Sequence, residues 1–180
     1  MKKVRLLLAA MLIAVLTMVC AGGMAACVNP LPDNSDGVNI TLYVLDLDGT
    51  ELLKETLFTR KSVLYDAFNE FEGVQVRATS SFTGAFVEAV AVGTLTETEF
   101  GGETFLTFTE QKRIEEDYGV NRFIAVYHDI NDATLKGFFG GASDELTHQG
   151  AKFYSSGTGV SALPLYDGAS YMLKLAEYSF

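Results

Sequence analysis

Beyond Gly73 the chain offers almost nothing with the periodicity of a helix, so most of its apolar residues must be buried in sheets. Short runs rich in β-branched and aromatic residues recur instead: VQVRAT at 74–79, FVEAVAVGTL at 86–95, TFLTFT at 104–109, FIAVYHDI at 123–130, AKFYSS at 151–156 and YMLKLAEY at 171–178. Such residues suit a pleated, half-buried surface. The polar stretch QKRIEEDYG at 111–119 reads as one surface helical turn or as a loop. Before Gly73, residues 39–46 alternate Ile40, Leu42 and Val44 with Thr41, Tyr43 and Leu45, which predicts a strand buried on both faces. Asp48-Gly49 then predicts a tight turn, because Gly accepts positive φ and Asp tolerates it. A second alternating strand follows over 51–59. Ser62 is placed to cap a helix over 62–71 whose Val63, Leu64, Ala67, Phe68 and Phe71 share one face, with Gly73 closing it. Hairpin, helix, then many strands predicts an α+β fold with one main helix and a mostly antiparallel sheet.

The N-terminus has a different character. MKKVR, the apolar run LLLAAMLIAVLTMV and the small residues of CAGGMAAC have the three-part layout of a signal peptide, so residues 1–26 are set apart from the folded chain. Ala25-Ala26-Cys27 resembles the lipobox of bacterial lipoproteins, with Met24 where that motif usually has Leu. The resemblance implies that Cys27 is acylated and becomes the first mature residue. Two alternatives stay open: an uncleaved membrane anchor over Leu6 to Ala26, long enough to span a bilayer, and secretion with cleavage elsewhere. Cys20 lies inside the apolar run and is lost on cleavage, leaving Cys27 as the sole thiol and excluding an intrachain disulfide. VNPLPDNSDG follows, rich in turn and loop residues, and residues 27–38 read as a lipidated cysteine and a tether. Fully extended, it would reach on the order of 30 Å.

What remains, residues 39–180, suits one domain with a real core. Removing Lys2, Lys3 and Arg5 from 13 basic residues leaves 10 against 23 acidic ones, a mature net charge near −13. That charge repels phosphate backbones and anionic head groups, which argues against nucleic-acid binding and against electrostatic membrane docking. The expected membrane contact is the lipid anchor, at the membrane's extracytoplasmic side.

VLDLDGT at 44–50 resembles the motif with which phosphatases of the haloacid dehalogenase superfamily present a nucleophilic aspartate. That resemblance implies Asp46 as nucleophile, Asp48 as general acid and a bridging magnesium ion. Thr79 or Ser80, Lys112 or Lys136, and Asp129 with Asp132 would fill the remaining roles. Against it, that site is built at the carboxyl ends of parallel strands joined by crossover helices, of which this chain predicts only one. Asp48-Gly49 already has a sufficient local explanation as a turn.

The closing segment YSSGTGVSALPLYDGASYMLKL contains Gly159-Val160, the extended stretch Ala162-Leu163-Pro164-Leu165, Asp167-Gly168 and a final strand led by Tyr171. It resembles the end of a domain shared by bacterial surface lipoproteins and the C-terminal part of transcobalamin. The likeness covers roughly 40–80 and 120–180, and the opening hairpin and helix fit it too. It implies a β-grasp-like fold that contacts a soluble ligand, with residues 84–119 as an insertion. Members usually carry a tryptophan on a strand before the Gly-Val segment. This chain has none, which would shift any stacking role to Phe123 or Tyr127.

The expected function is therefore a membrane-anchored binding module without chemistry, with the magnesium-dependent phosphohydrolase as the alternative. Its partner would be a small molecule, a glycan or another surface protein. GFFGGA at 137–142 sets Phe138 and Phe139 between glycines; with Tyr154 and Tyr166 they are the expected ligand contacts, because aromatic rings bury much area at low entropic cost. No cofactor and no metal are expected: His128 and His148 lack metal-ligand spacing, and SSGTGVS lacks the Gly-Lys-Ser/Thr ending of a phosphate-binding loop.

Overall fold

The computed structural model describes residues 30–81, 84–93, 95–100, 103–108, 112–115, 122–137 and 145–177. Residues 1–26, read above as a signal peptide, and Cys27, Phe138 and Phe139 lie outside them. Leu31 to Phe180 form one compact unit.

Eleven strands are described: β1 (Val38–Leu45), β2 (Glu51–Thr59), β3 (Val74–Ser81), β4 (Gly84–Val92), β5 (Leu95–Phe100), β6 (Glu103–Phe108), β7 (Lys112–Glu115), β8 (Arg122–His128), β9 (Glu145–His148), β10 (Ala151–Ser155) and β11 (Ser170–Glu177). Helix α1 (Leu64–Ala67) and a 3-10 turn over Phe68–Glu70 lie between β2 and β3. The main sheet has the order β2-β1-β11-β8-β10-β9, β3-β4-β7 form a second sheet, and β5-β6 pair as a separate hairpin. Every pairing in the main sheet is antiparallel except β1 with β11, whose register runs from Thr41↔Ser170 to Leu45↔Lys174. The fold is largely β within a mixed α+β class, as the pattern of short strands predicted.

Two expectations need correction. The helix expected over 62–71 is a single turn of α-helix continued as a 3-10 turn, and Ser62 does not cap it. Its Oγ donates instead to the Pro32 carbonyl at 3.1 Å, and the Leu64 and Tyr65 amides donate to Leu163 and Val160 carbonyls. These bonds serve first-turn amides that no helix satisfies internally; the helix starts late because Val63 is extended and bridged to Pro164. Residues 112–115, expected as a helical turn or loop, are strand β7, because pairing to β4 at Val90↔Ile114 overrides weak local propensity.

Alternation along β1 divides the core. Ile40, Leu42 and Val44, with Tyr171, Leu173 and Leu175 of β11, face α1 and the second sheet, where Leu64, Phe68, Phe71, Val87 and Val90 complete the main cluster. Each fully buried leucine here contributes ~1.5–3 kcal/mol relative to exposure. The opposite face carries Tyr43, Leu45, Phe123, Ala125, Tyr127, Phe153 and Met172, all buried. It is enclosed by curling of the sheet itself. The β9–β10 hairpin is held to β8 by only two residue pairs, Tyr154↔His128 and Ser155↔Tyr127, so it is free to bend across this face. The rings of His148 and Phe153 then meet the Tyr43 ring edge-on, with centroids at 5.3 and 5.8 Å.

Candidate functional site

The departure of β10 from β8 after Ser155 creates the cavity of interest. Ser156 still donates its amide to the Val126 carbonyl at 2.8 Å, and then the chain turns away through Gly157 to Val160, whose amide donates to the Ala85 carbonyl of β4 at 2.8 Å. Between β8, the start of β4 and this turn lies a pocket of about 40 Å³. Ala85, Phe86, Ile124 and Val126 supply apolar walls, and Ser156, Thr158 and Gly159 close it. Its volume admits one small branched or methyl-bearing group, not a whole cofactor.

Its turn is held from both sides. Ser156 Oγ donates to the Thr158 carbonyl at 2.8 Å, and the Ser161 hydroxyl accepts from the Ala85 amide at 2.8 Å. A Cβ on Gly159 would lie 2.6–2.7 Å from backbone atoms of Gly84 and Ala85, closer than any real side chain sits. Glycine at 159 is therefore a requirement of close backbone approach. The Thr158 Oγ1 is buried and has no hydrogen-bond partner. Ser155, Ser156 and Thr158 are the polar residues in a lining that is otherwise apolar.

Two of the expected contacts, Tyr154 and Tyr166, do not line this pocket, and Phe138 and Phe139 lie outside the described residues. Tyr154 is buried on β10, beneath the Lys136 ammonium at 3.4 Å from the ring centroid, with Lys152 at 5.6 Å. Tyr166 is exposed at 37%, beyond the segment that Tyr171 fastens. Neither lines the pocket, although the loop expected to meet ligand, 154–166, supplies its turn. Ala85, Ile124 and Thr158 escaped sequence reasoning because nothing polar or aromatic marks them; the usable signal was Gly159-Val160, whose glycine reports the tight approach. Phe123, one of the positions to which the missing tryptophan's role would shift, borders the cavity along β8 but belongs to the cluster on the opposite face of the sheet.

The residues of the phosphatase reading are not gathered. Asp46 and Asp48 sit in the β1–β2 turn, where the Gly49 amide donates to the Asp46 carbonyl at 3.0 Å and Gly49 has φ +86°. The Thr50 amide donates to Asp48 at 2.9 Å and holds that carboxyl below its ordinary pKa. Asp129 lies at the other end of the sheet, accepting from the Ser170 amide at 3.0 Å, while the Asp46 turn follows Leu45, which pairs with Lys174. Four residues of β11 separate the two acidic pairs, roughly 13 Å along the strand. Lys136 is engaged with Asn131 and Tyr154. Among the described residues, no three His, Cys, Asp or Glu side chains gather closely enough to hold a metal ion.

His128 is fully buried on β8, its Nε2 3.1 Å from the Leu135 carbonyl and its Nδ1 without a partner. Burial pushes its pKa below the ordinary histidine value, outweighing the Leu135 carbonyl, which raises it. With Nε2 donating, the neutral tautomer fits this environment, and the ring acts as a core group under the 129–137 loop.

No protein-family model and no curated protein matches this chain. Among solved structures, it is similar to a protein from Ruminococcus gnavus ATCC 29149 described as a "putative metal binding protein", at 17% identity and a TM-score of 0.46, covering 79% of this chain and 99% of that one.

Proposed function

We propose that this chain is a lipid-anchored, extracytoplasmic binding module of β-grasp type that holds a small apolar group of a soluble ligand or surface partner and performs no chemistry on it. The carrying observation is the pocket between β8 and β4, whose walls are largely apolar. The β-grasp assignment draws support from the strand order: a first strand paired antiparallel to the second and parallel to the last, with a helix between. Anchoring rests on Cys27 directly after Ala25-Ala26; two acyl chains on one cysteine give stable attachment. Among the described residues, no helix is long and apolar enough to cross a membrane.

The test is a fragment screen by backbone-amide NMR on the purified protein, using small branched alcohols and amides. Binders should perturb Ala85, Ile124, Ser156 and Gly159 together, and Ala85→Leu, which fills the cavity, should abolish their binding. Binders that map to other surfaces and survive Ala85→Leu would reject the pocket. The alternative is tested by adding magnesium and an aryl phosphate; turnover lost in Asp46→Asn at unchanged melting temperature would reject the non-catalytic reading.

A further inference from the structure

Four of the large apolar side chains that remain exposed surround the point where the N-terminal segment joins the domain: Leu31 at 50%, Phe58 at 55%, Tyr65 at 42% and Tyr166 at 37%. Segment 31–37 ties them to one end of the molecule. The Pro32 carbonyl accepts from Ser62, three residues before Tyr65. The Asn34 side chain donates to the Lys61 carbonyl at 2.8 Å and to the Leu165 carbonyl at 3.1 Å, next to Tyr166. The Phe58 ring lies over Gly37, so close that a Cβ there would meet it at 2.1 Å. Asn34 is itself buried. Only the residues before Pro32 are therefore left as tether. From Cys27 to Leu31 the chain covers at most about 14 Å, half of what the sequence suggested.

We propose that this end of the domain rests on the bilayer that carries the anchor, with Leu31, Phe58, Tyr65 and Tyr166 entering the head-group region. The inference rests on acylation of Cys27. Given that anchor, a tether so short leaves this face within reach of the lipid and holds the opposite end, with the Asp48-Gly49 turn, about 25 Å further away along β1. Tyrosine and phenylalanine suit the interface, where a ring is dehydrated while a hydroxyl stays wet. Charge does not drive the contact: Arg60 and Lys61 are outnumbered locally by Asp33, Asp36, Asp66 and Asp167. Zwitterionic lipid is accordingly the favoured surface, and anionic lipid should weaken the contact.

The chain contains no tryptophan, so single reporters are simple to install. Full-length protein carrying Tyr65→Trp, Tyr166→Trp or, as control, Thr50→Trp at the far turn is reconstituted into phosphatidylcholine vesicles with acyl-chain-brominated lipid. The reporters at 65 and 166 should lose about half of their emission and shift to the blue, as expected for rings at the interface, while the one at 50 stays bright and open to iodide. Phe58→Trp gives an independent reading should either tyrosine variant misfold. Intact mass separates the two premises. If the cysteine carries its acyl chains and the reporters at 58, 65 and 166 stay as bright as that at 50, the docking is wrong and the anchor stands. If no acyl chain is found, the anchor reading fails and the docking falls with it.

Discussion

Glu51 and His148 lie on opposite edge strands of a six-stranded sheet, yet Glu51 Oε2 is 2.9 Å from His148 Nε2. Drawn flat, five gaps between strands would separate β2 from β9 by roughly 24 Å. The sheet must therefore roll onto its Tyr43 face until its edges touch, an exaggeration of the right-handed twist of strands. Gln149 strengthens the clasp, donating to Glu51 at 2.7 Å and accepting from Lys54 at 2.9 Å. Closure brings the two edges together, and Tyr127, Phe153 and Met172 are buried on this face with no helix packed over them among the described residues. Because these clasp groups are partly exposed, their direct contribution is small.

Glu51→Ala should consequently lower stability by about 1 kcal/mol, with a coupling to His148→Ala in a double-mutant cycle that accounts for much of it. Denaturant melts of the two single variants and the double variant measure this. Additive effects would show that the edges meet without helping one another.

Gly159→Ala should cost more. The new methyl must displace backbone of β4, not a flexible side chain, and overpacking of this kind costs about 1–3 kcal/mol. Gly49→Ala also destabilises, but through its positive φ alone, since nothing lies within 4 Å of the added methyl; the cost there should be about 1 kcal/mol. Thermal melts should rank the two variants in that order, and only Gly159→Ala should disturb amide signals of both Ala85 and Ser161.

Tyr171 fastens the stretch that leads into the last strand. Its hydroxyl donates to the Pro164 carbonyl at 2.7 Å and accepts from the Tyr166 amide at 3.1 Å, fully buried, and burial raises its pKa. Tyr171→Phe keeps the ring and leaves a buried carbonyl and an amide unpaired, a loss of about 1–3 kcal/mol. Exchange of the Tyr166 amide with deuterium should accelerate in the variant at equal global stability of the other strands.

How far these arrangements were legible depended on the range of the cause. β1, β2 and the Asp48-Gly49 turn are written in local alternation and local φ demands, and they appear within a residue of where the sequence places them. The runs for β3, β4, β6, β8, β10 and β11 are visible for the same reason. β9 was not, because ELTH has only one apolar residue and is a strand through its pairing with β10. Helix α1 was overestimated because an amphipathic pattern says nothing of the bridge to Pro164 that holds Val63 extended, or of the extended backbone at Phe71. The pocket was invisible because it arises where β10 leaves β8, a consequence of tertiary pairing and not of any residue type. The short tether was hidden in the same way: DNSDG reads as free loop until Asn34 finds the Lys61 and Leu165 carbonyls.

His128 makes stability depend on pH. Its folded-state pKa is lowered from 6.5, chiefly by burial, so the unfolded chain binds a proton more readily than the folded one. Stability contributed by the neutral ring is then fully present above the unfolded value and is lost as pH falls below about 6.5 toward the folded value. Protonation would place a charge in the core, a desolvation cost that the Leu135 and Ile130 backbone groups and the Asp129 carboxylate do not offset. The loop from Asp129 to Gly137 should loosen first, since the Leu135 carbonyl is held by that ring and by the Gly157 amide at 2.7 Å. Melting temperature measured from pH 7.5 to about 5 should fall for the native chain. In His128→Gln, which keeps a donor for Leu135 and cannot titrate, the slope over that range should flatten, even though the variant starts less stable. Asp48 and Asp132, whose carboxyls are held below their ordinary pKa by Thr50 and Thr134 amides, lose their contributions only at more acidic pH and do not obscure the comparison. An unchanged slope in His128→Gln would assign the pH dependence to other groups and show that the buried ring stays neutral in both states across this range.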